Sequence, residues 1–403
     1  MRLIDYWVGV PLCILMSLWE VVFGKIFSSQ ERPSPRKVLF IELSEMGSAV
    51  LGYSALSQAQ KQFENVELFF LIFESNAESV ELLNVIPSQN ILTIRNKNFY
   101  EFTVTALAAL RRIRAIKIDT VIDMELFSRF TMIFSYLTGA ANRVGFYQYT
   151  GEGLFRGEFI THRVQYNPHQ HISINFLNLL FALKAPRNEV PLLKKNLAHE
   201  LIPLPSHKIS SKEKSDALEL LRRKNSSVNL QSPLIFIHGY PGELVPIRGW
   251  PVDCYVDLVR RLLENQELYV VLTGLPTAAN FNNQITSQAE NERCIDLTGQ
   301  TKSLRNLVNL LSLARVLVMT DGGAAHFASL IGLNTVVLFG PETPALYSPI
   351  SSSTTVLYSN FSCSPCITAY NHRHTICSDN KCIQAITVEQ VFSAVMSAYR
   401  SAS

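Results

Sequence analysis

Short, unbroken apolar runs recur along most of this chain and alternate with longer stretches in which apolar positions follow a helical period. Such runs suit strands covered on both faces, and the alternation predicts parallel sheets flanked by helices. Lys37-Val-Leu-Phe-Ile-Glu-Leu43 reads as the first strand, Ser44-Glu45-Met46-Gly47-Ser48 as its turn, and residues 49–63 as a helix. Strand-like runs follow at 66–73 and 120–124, separated by helical segments such as 98–116. From 184 to 232 the chain turns polar and proline-punctuated, with one solvent-type helix at 211–224. The pattern then restarts with Pro233-Leu-Ile-Phe-Ile-His-Gly239, a helix at 252–264, a strand at 268–273 and a helix at 304–314. The expected fold class is α/β with two Rossmann-like domains. The first spans 36–190, an interdomain connection spans 191–231, the second spans 232–386, and a C-terminal helix covers 387–403.

The sharpest local feature is Val316-Leu-Val-Met-Thr-Asp321-Gly322-Gly323-Ala-Ala-His326, where a buried-strand run meets an acidic turn and two glycines open a helix. The partly positive N-terminus of a helix, with unobstructed backbone N–H groups, can hold a phosphate. A second strand, Thr335-Val-Val-Leu-Phe339, ends in Gly340-Pro341-Glu342-Thr343-Pro344, completing a βαβ-sized unit. On spacing alone, a phosphate site and a plain structural turn stand equally open.

The N-terminus breaks the alternation. From Tyr6 to Phe23 the chain is apolar apart from Ser17 and Glu20, and it carries Pro11. That is slightly short for a crossing helix, so residues 1–27 are expected to form a kinked segment embedded in one leaflet. Tyr6, Trp7 and Trp19 beside Arg2 and Lys25 resemble interfacial anchors. No small-x-small cleavage site follows cleanly, which disfavours a signal peptide. Arg32, Arg36 and Lys37 come next, placing the globular body on the cytoplasmic face of the inner membrane. Composition adds two limits: 47% hydrophobic residues over 403 positions allow two cores, and a net charge of +3 without a basic stripe excludes nucleic acid as a partner.

Asp321-Gly-Gly-Ala-Ala-His326 followed by Leu338-Phe-Gly-Pro-Glu-Thr-Pro344 resembles the signature of glycosyltransferase family 9, the ADP-heptose:lipopolysaccharide heptosyltransferases and their relatives. The order and spacing are kept, with Gly322 where the family usually has Thr. The resemblance implies GT-B architecture, two Rossmann-like domains facing a cleft. It also implies an inverting transfer of a sugar, heptose first, from a nucleotide-sugar donor such as ADP-heptose to a glycolipid or oligosaccharide acceptor. Arg248, two positions before Trp250-Pro251, matches the family's phosphate-contacting basic residue. His238 and Gly239 fall in the segment lining the donor site, Thr273 ends the nucleotide-site strand, and Asp321, Gly322, Gly323 and His326 complete the donor set. Arg143-Val-Gly-Phe146 is similar to an acceptor-side element. No Asp-x-Asp metal motif is present, so no cofactor is expected for catalysis.

The acceptor turn departs from the family. Gly47 is usually followed by an Asp that takes the acceptor's proton, and here Ser48 stands in its place. A serine is no unaided base at neutral pH. Either Glu45 in the same turn replaces it, or Asp123 or Glu125 at the end of the 120–124 strand does, or the chain is a silent nucleotide-binding scaffold or a membrane tether. Finally, Cys363-x-x-Cys366, Cys377 and Cys382 have spacing that suits a structural zinc, with reduced packing cysteines as the alternative.

Overall fold

The apolar runs assemble into two six-stranded sheets, and the chain divides into two compact units, Met1–Pro203 and Leu204–Ser403. The computed structural model of the protein describes residues 2–24, 33–186 and 188–402. Lys25 and Arg32, at the end of the leader and just beyond it, lie outside the described residues.

In the first unit the strands are β1 (Lys37–Ile41), β2 (Glu67–Phe73), β3 (Ile91–Ile94), β4 (Thr120–Asp123), β5 (Asn142–Phe146) and β6 (His162–Val164), ordered β3-β2-β1-β4-β5-β6. In the second they are β7 (Leu234–His238), β8 (Tyr269–Leu272), β9 (Cys294–Asp296), β10 (Ala314–Thr320), β11 (Asn334–Phe339) and β12 (Thr354–Tyr358), ordered β12-β11-β10-β7-β8-β9. Every neighbouring pair is parallel. Both sheets have the doubly wound order, and each changes winding direction once, between β1 and β4 and between β7 and β10. Ligands of such sheets bind outside the strands' carboxyl ends at that switch point. Both domains are thus Rossmann-like, the domain composition of the GT-B class.

Differences from the sequence reading have local causes. The helix expected at 49–63 is two, Met46–Leu51 and Tyr53–Gln62, joined at Gly52. A Cβ on Gly52 would meet Met124 Cε at 2.6 Å, so this junction lies tight against the strand end. The helix Ser211–Arg222, expected in the connection, carries a capping box of Ser210 and Glu213 and packs against helix Leu304–Leu311 in the second unit. Strands β3, β5, β6, β9 and β12 are not among the runs read as strands, and β6 and β9 have only three residues each, too few to show a period.

The leader forms helices Arg2–Trp7 and Gly9–Trp19 and a π-helical turn Glu20–Gly24. The break falls at Val8 rather than at Pro11. Proline is tolerated in a helix's first turn, where its missing N–H would have had no partner. Gly9, Cys13 and Ser17, spaced at i, i+4 and i+8, form the face buried against the first unit. Cys13 packs with Met132, Phe159 and Ile160. Asp5 pairs with Arg129 at 3.2 Å and accepts the N–H groups of Arg129 and Phe130, satisfying the start of helix Arg129–Leu137. Glu20 pairs with Arg143 at 3.3 Å.

Candidate active site

The donor-side residues gather at the switch point of the second sheet. His238 ends β7, Thr320 ends β10 beside it, and Asp321 follows, its N–H donating to Leu338 O at 2.9 Å. Gly322 is extended (φ 175°) and Gly323 opens helix Gly323–Leu330, with His326 buried in its first turn. A Cβ on Gly322 would come no closer than 3.4 Å to Met319 Cε, which explains why the threonine usual at this place also fits. Gly239 is different: its Cβ would strike the buried Tyr255 ring at 2.8 Å, so the chain here runs hard against the core.

Arg248, in a short 3-10 turn, reaches Asp321 with Nη1 to Oδ2 at 3.3 Å. Both side chains are largely buried, and Arg248 Nε has no hydrogen-bond partner among the described residues. A buried guanidinium donor left over after its ion pair is a group suited to an anionic ligand. His238 Nδ1 lies 3.1 Å from Thr273 Oγ1, and burial pushes its imidazole down to about 4, so it is neutral near pH 7. Three residues given no role in the sequence complete the surroundings. Buried Asn282 donates to Thr298 Oγ1 at 2.6 Å, Asp296 accepts the Thr298 N–H at 2.8 Å, and buried Glu342 sits in the loop after β11 with Arg373 Nε at 3.9 Å. Asn282 and Asp296 carry no motif in the sequence.

At the first unit's switch point the ends of β1 and β4 bring four carboxylates together. Glu125 Oε1 accepts the N–H groups of Leu43 at 2.8 Å and Ser44 at 3.1 Å and the Ser44 hydroxyl at 3.0 Å. Burial pushes Glu125 up to about 7, with Asp123 and Glu45 adding repulsion against the pull of the Leu43 N–H. Glu42 is fully enclosed and is pushed well above the carboxylate range by burial and by Glu125, Glu45 and Asp123. It is hidden in the sequence, since it reads as the tail of an apolar strand. Glu45 is half-buried, and its Oε2 accepts the Ser48 hydroxyl at 3.1 Å. Gly47 and Ser48 are buried in the first turn of helix Met46–Leu51.

Asp123 is differently placed from its neighbours. It is 0% exposed, accepts from Thr131 Oγ1 at 2.9 Å and from the Glu125 N–H at 3.1 Å, and is ion-paired with buried Arg156. Burial pushes its carboxyl up, and Arg156 and Thr131 pull it back. Both of its carboxylate oxygens are thus engaged inside the domain.

The carboxylates give the site a pH signature. The folded-state value of Glu125 lies above its ordinary 4.5, so between about 4.5 and 7 the folded protein holds more protons than the unfolded chain. Stability therefore falls as pH rises through that window. In Glu125→Gln the fall between about pH 5 and about pH 8, measured by denaturant unfolding, is expected to be smaller than in wild type. Equal slopes in the two proteins would remove the raised carboxyl from the site.

Arg143 is the second residue of β5 and so lies at the amino end of that strand, away from the carboxyl-end crevice. Its guanidinium donates to Phe159 O at 2.9 Å and Ala140 O at 2.8 Å and pairs with Glu20 of the leader. Cys363, Cys366, Cys377 and Cys382 are free thiols, and among the described residues no group of three or more His, Cys, Asp or Glu side chains is arranged to hold a metal ion. Cys377 Sγ turns to Asp379 O at 3.2 Å, Cys366 Sγ accepts from Thr375 at 3.4 Å and Cys382 is buried beside Gly340, so the expected zinc site has no support. A cavity of about 1000 Å³ bordered by Arg36, Lys37, Gln62, Asn142 and Lys184 opens at the amino ends of β1 and β5, away from the carboxylates.

Comparison with known proteins gives a consistent result. The family model described as Glycosyltransferase family 9 (heptosyltransferase) matches residues 107–376, more than half of the chain. Lipopolysaccharide heptosyltransferase 2 of Salmonella typhimurium is 30% identical over 158 residues, covering 38% of this chain and 42% of that protein. The aligned region thus spans less than half of that relative. Among solved structures, the Escherichia coli ADP-heptose lipopolysaccharide heptosyltransferase II aligns with a TM-score of 0.68 at 17% identity, over 91% of this chain and 99% of that one. A glycosyltransferase family 9 protein from Veillonella parvula aligns at 0.71 and 18% identity, over 92% and 99%. At such identities these two structures speak to the fold alone.

Proposed function

The chain belongs to glycosyltransferase family 9, and from that premise we propose that it transfers a sugar, heptose first, from a nucleotide diphosphate donor to a lipid-linked or lipopolysaccharide-type acceptor. The observation that supports this reading most directly is the Arg248–Asp321 pair at the β7/β10 switch point, beside a glycine-opened helix N-terminus and with a guanidinium N–H to spare. Arg248 and the N–H groups of that turn neutralise the charge that builds on the leaving diphosphate, a task they perform without a divalent metal. Asp321 orients Arg248 and accepts hydroxyls of the donor sugar, with His326 and His238 lining the same end of the sheet.

On the acceptor side, Glu45 is the general base. The acceptor oxygen attacks the anomeric carbon, the bond from that carbon to the diphosphate breaks with its electron pair leaving on the nucleotide, and the hydroxyl proton passes to Glu45. A single displacement of this kind inverts the anomeric centre. Ser48 donates its hydroxyl to Glu45 and holds the carboxylate in place, while Asp123 fixes the β4 end through Arg156 and Thr131. The leader attaches the protein to the cytoplasmic face of the inner membrane, where a lipid-linked acceptor is found.

A second reading, a silent nucleotide-binding scaffold, is favoured by one observation: Ser48 stands where the family carries its catalytic Asp. Binding of a panel of nucleotide sugars, ADP-heptose included, followed by product detection with lipopolysaccharide-type acceptors, separates the two. Binding with transfer is the expected result. Binding of one donor without transfer to any acceptor supports the scaffold, and no binding at about 1 mM overturns both.

A further inference from the structure

Three helices cover one side of the first sheet. Leu39 and Ile41 of β1 and Val121 of β4 pack with Phe102, Ala106 and Leu110 of helix Phe99–Ile116 and with Phe134 of helix Arg129–Leu137. On β5, a Cβ at Gly145 would meet Met132 of that second helix at 2.4 Å, and Met132 in turn packs against Cys13 of the leader. The row therefore runs from helix Phe99–Ile116 through Arg129–Leu137 to the leader. It is stitched by the Phe102–Phe130 ring contact at 4.8 Å and by Arg114 Nε donating to Leu137 O at 2.8 Å. Residues 147–161, which connect β5 to β6, form no helix, and the leader covers the place such a helix would fill.

The outer side of this layer has the wrong polarity for water. Among the described residues the leader's polar side chains turn inward: Asp5 to Arg129, Ser17 to Cys13 O and the Glu158 N–H, Glu20 to Arg143 and Tyr136. Outward stand Trp7 (71% exposed), Leu15 (62%) and Trp19 (59%) with their apolar neighbours. Helix Phe99–Ile116 repeats the arrangement independently. It buries Phe102, Ala106, Ala109, Leu110 and Ile113, yet its opposite stripe, at i, i+4 and i+7, is Tyr100 (77% exposed), Val104 and Leu107, flanked by Phe99. The stripe ends in exposed Arg111, Arg112 and Arg114, and the helix's one acidic residue is Glu101.

We infer that this three-helix layer is a single membrane-docking surface, with the leader lying in the plane of an anionic phospholipid bilayer and helix Phe99–Ile116 resting on the same headgroup region as a second anchor. The inference rests on the leader's membrane attachment proposed above and adds an element the leader does not contain. Aromatic and aliphatic side chains next to arginines match the boundary between acyl chains and anionic headgroups. A second copy of the chain fits the surface less well, because a symmetric contact would set Arg111, Arg112 and Arg114 near their own equivalents.

Truncating the leader would strip cover from Met132, Phe159 and Ile160, so point substitutions on the full chain make the cleaner test. Sedimentation with phosphatidylethanolamine/phosphatidylglycerol vesicles is measured for wild type, for Tyr100→Glu/Leu107→Glu and for Leu15→Glu/Leu18→Glu, with thermal unfolding checked in each. The helix variant is expected to fold and to bind vesicles about tenfold more weakly or worse, and wild type to bind phosphatidylcholine vesicles less well than anionic ones. Undiminished binding of the helix variant, with loss in the leader variant, overturns the second anchor and leaves the leader alone. Undiminished binding in both overturns the leader reading as well. If the helix variant fails to fold, Arg111→Glu replaces it: a fall in binding confined to anionic vesicles supports the second anchor, and no change overturns it. A wild-type dimer dissolved by the helix substitutions without change in vesicle binding overturns the proposal in favour of self-association.

Discussion

Glu45→Gln is expected to lower turnover by about a hundredfold or more while leaving the donor's dissociation constant unchanged, because the amide keeps the shape of the carboxylate and cannot take the acceptor's proton. Ser48→Ala should cost far less, since in this site the hydroxyl only donates a hydrogen bond to Glu45 at 3.1 Å. Glu125→Gln separates the two carboxylates that remain open to an acceptor. Its pKa of about 7 is well matched to proton transfer at neutral pH, yet three hydrogen bonds already engage its Oε1. Near-normal turnover in Glu45→Gln together with a collapse in Glu125→Gln would move the base to the β4 end. Variants indistinguishable from a wild type that never turns over would identify a binding scaffold.

Arg248→Ala is expected to weaken donor binding by about 1.5–3 kcal/mol, roughly ten- to 150-fold, the loss that follows removal of a charge-assisted partner from a diphosphate. It also leaves Asp321, 8% exposed, without the guanidinium, so thermal unfolding of the ligand-free protein should come at a lower temperature. Combining it with Asp321→Asn tells the two effects apart: the double variant should regain stability and remain poor at binding the donor. Donor affinity unchanged in a folded Arg248→Ala protein would remove this arginine from the donor site. His326→Ala, a buried position one turn into the helix, is the companion test and should reduce donor use with the fold intact.

Several of these residues are legible from the amino-acid pattern alone. Asp321, Gly322, Gly323 and His326 fall at the end of a buried run and the start of a helix, a local pattern that both the strand period and the family signature expose. Glu45 and Ser48 share one helical turn and are readable for the same reason. Glu42 is not, because one carboxylate at the end of an apolar run looks like the strand's solvent edge until β2 and β4 close over it on both sides. The place of Arg143, at the amino end of β5 and beside the leader, is not legible either, because the sequence does not show where that strand begins or what packs against it. The cysteine spacing is compatible with zinc, but spacing constrains only how far the chain can reach, and the thiols turn to other partners.

The sequence by itself determined the longer strands and helices, the two-domain α/β class, the family resemblance and the polarity of the leader, because burial period, turn residues and motif spacing are properties of neighbours along the chain. The tertiary structure alone decided which charges meet. Glu42 and Glu45 lie about eighty residues from Asp123 and Glu125, and they share a site only because β1 pairs with β4 across the reversal of sheet order. The raised proton affinity of Glu42, Asp123 and Glu125 is a product of that meeting, since desolvation and mutual repulsion act through space. The same holds for Arg248 and Asp321, joined across the β7/β10 switch, and for the leader, whose inward charges found Arg129 and Arg143 only once the sheet had placed them.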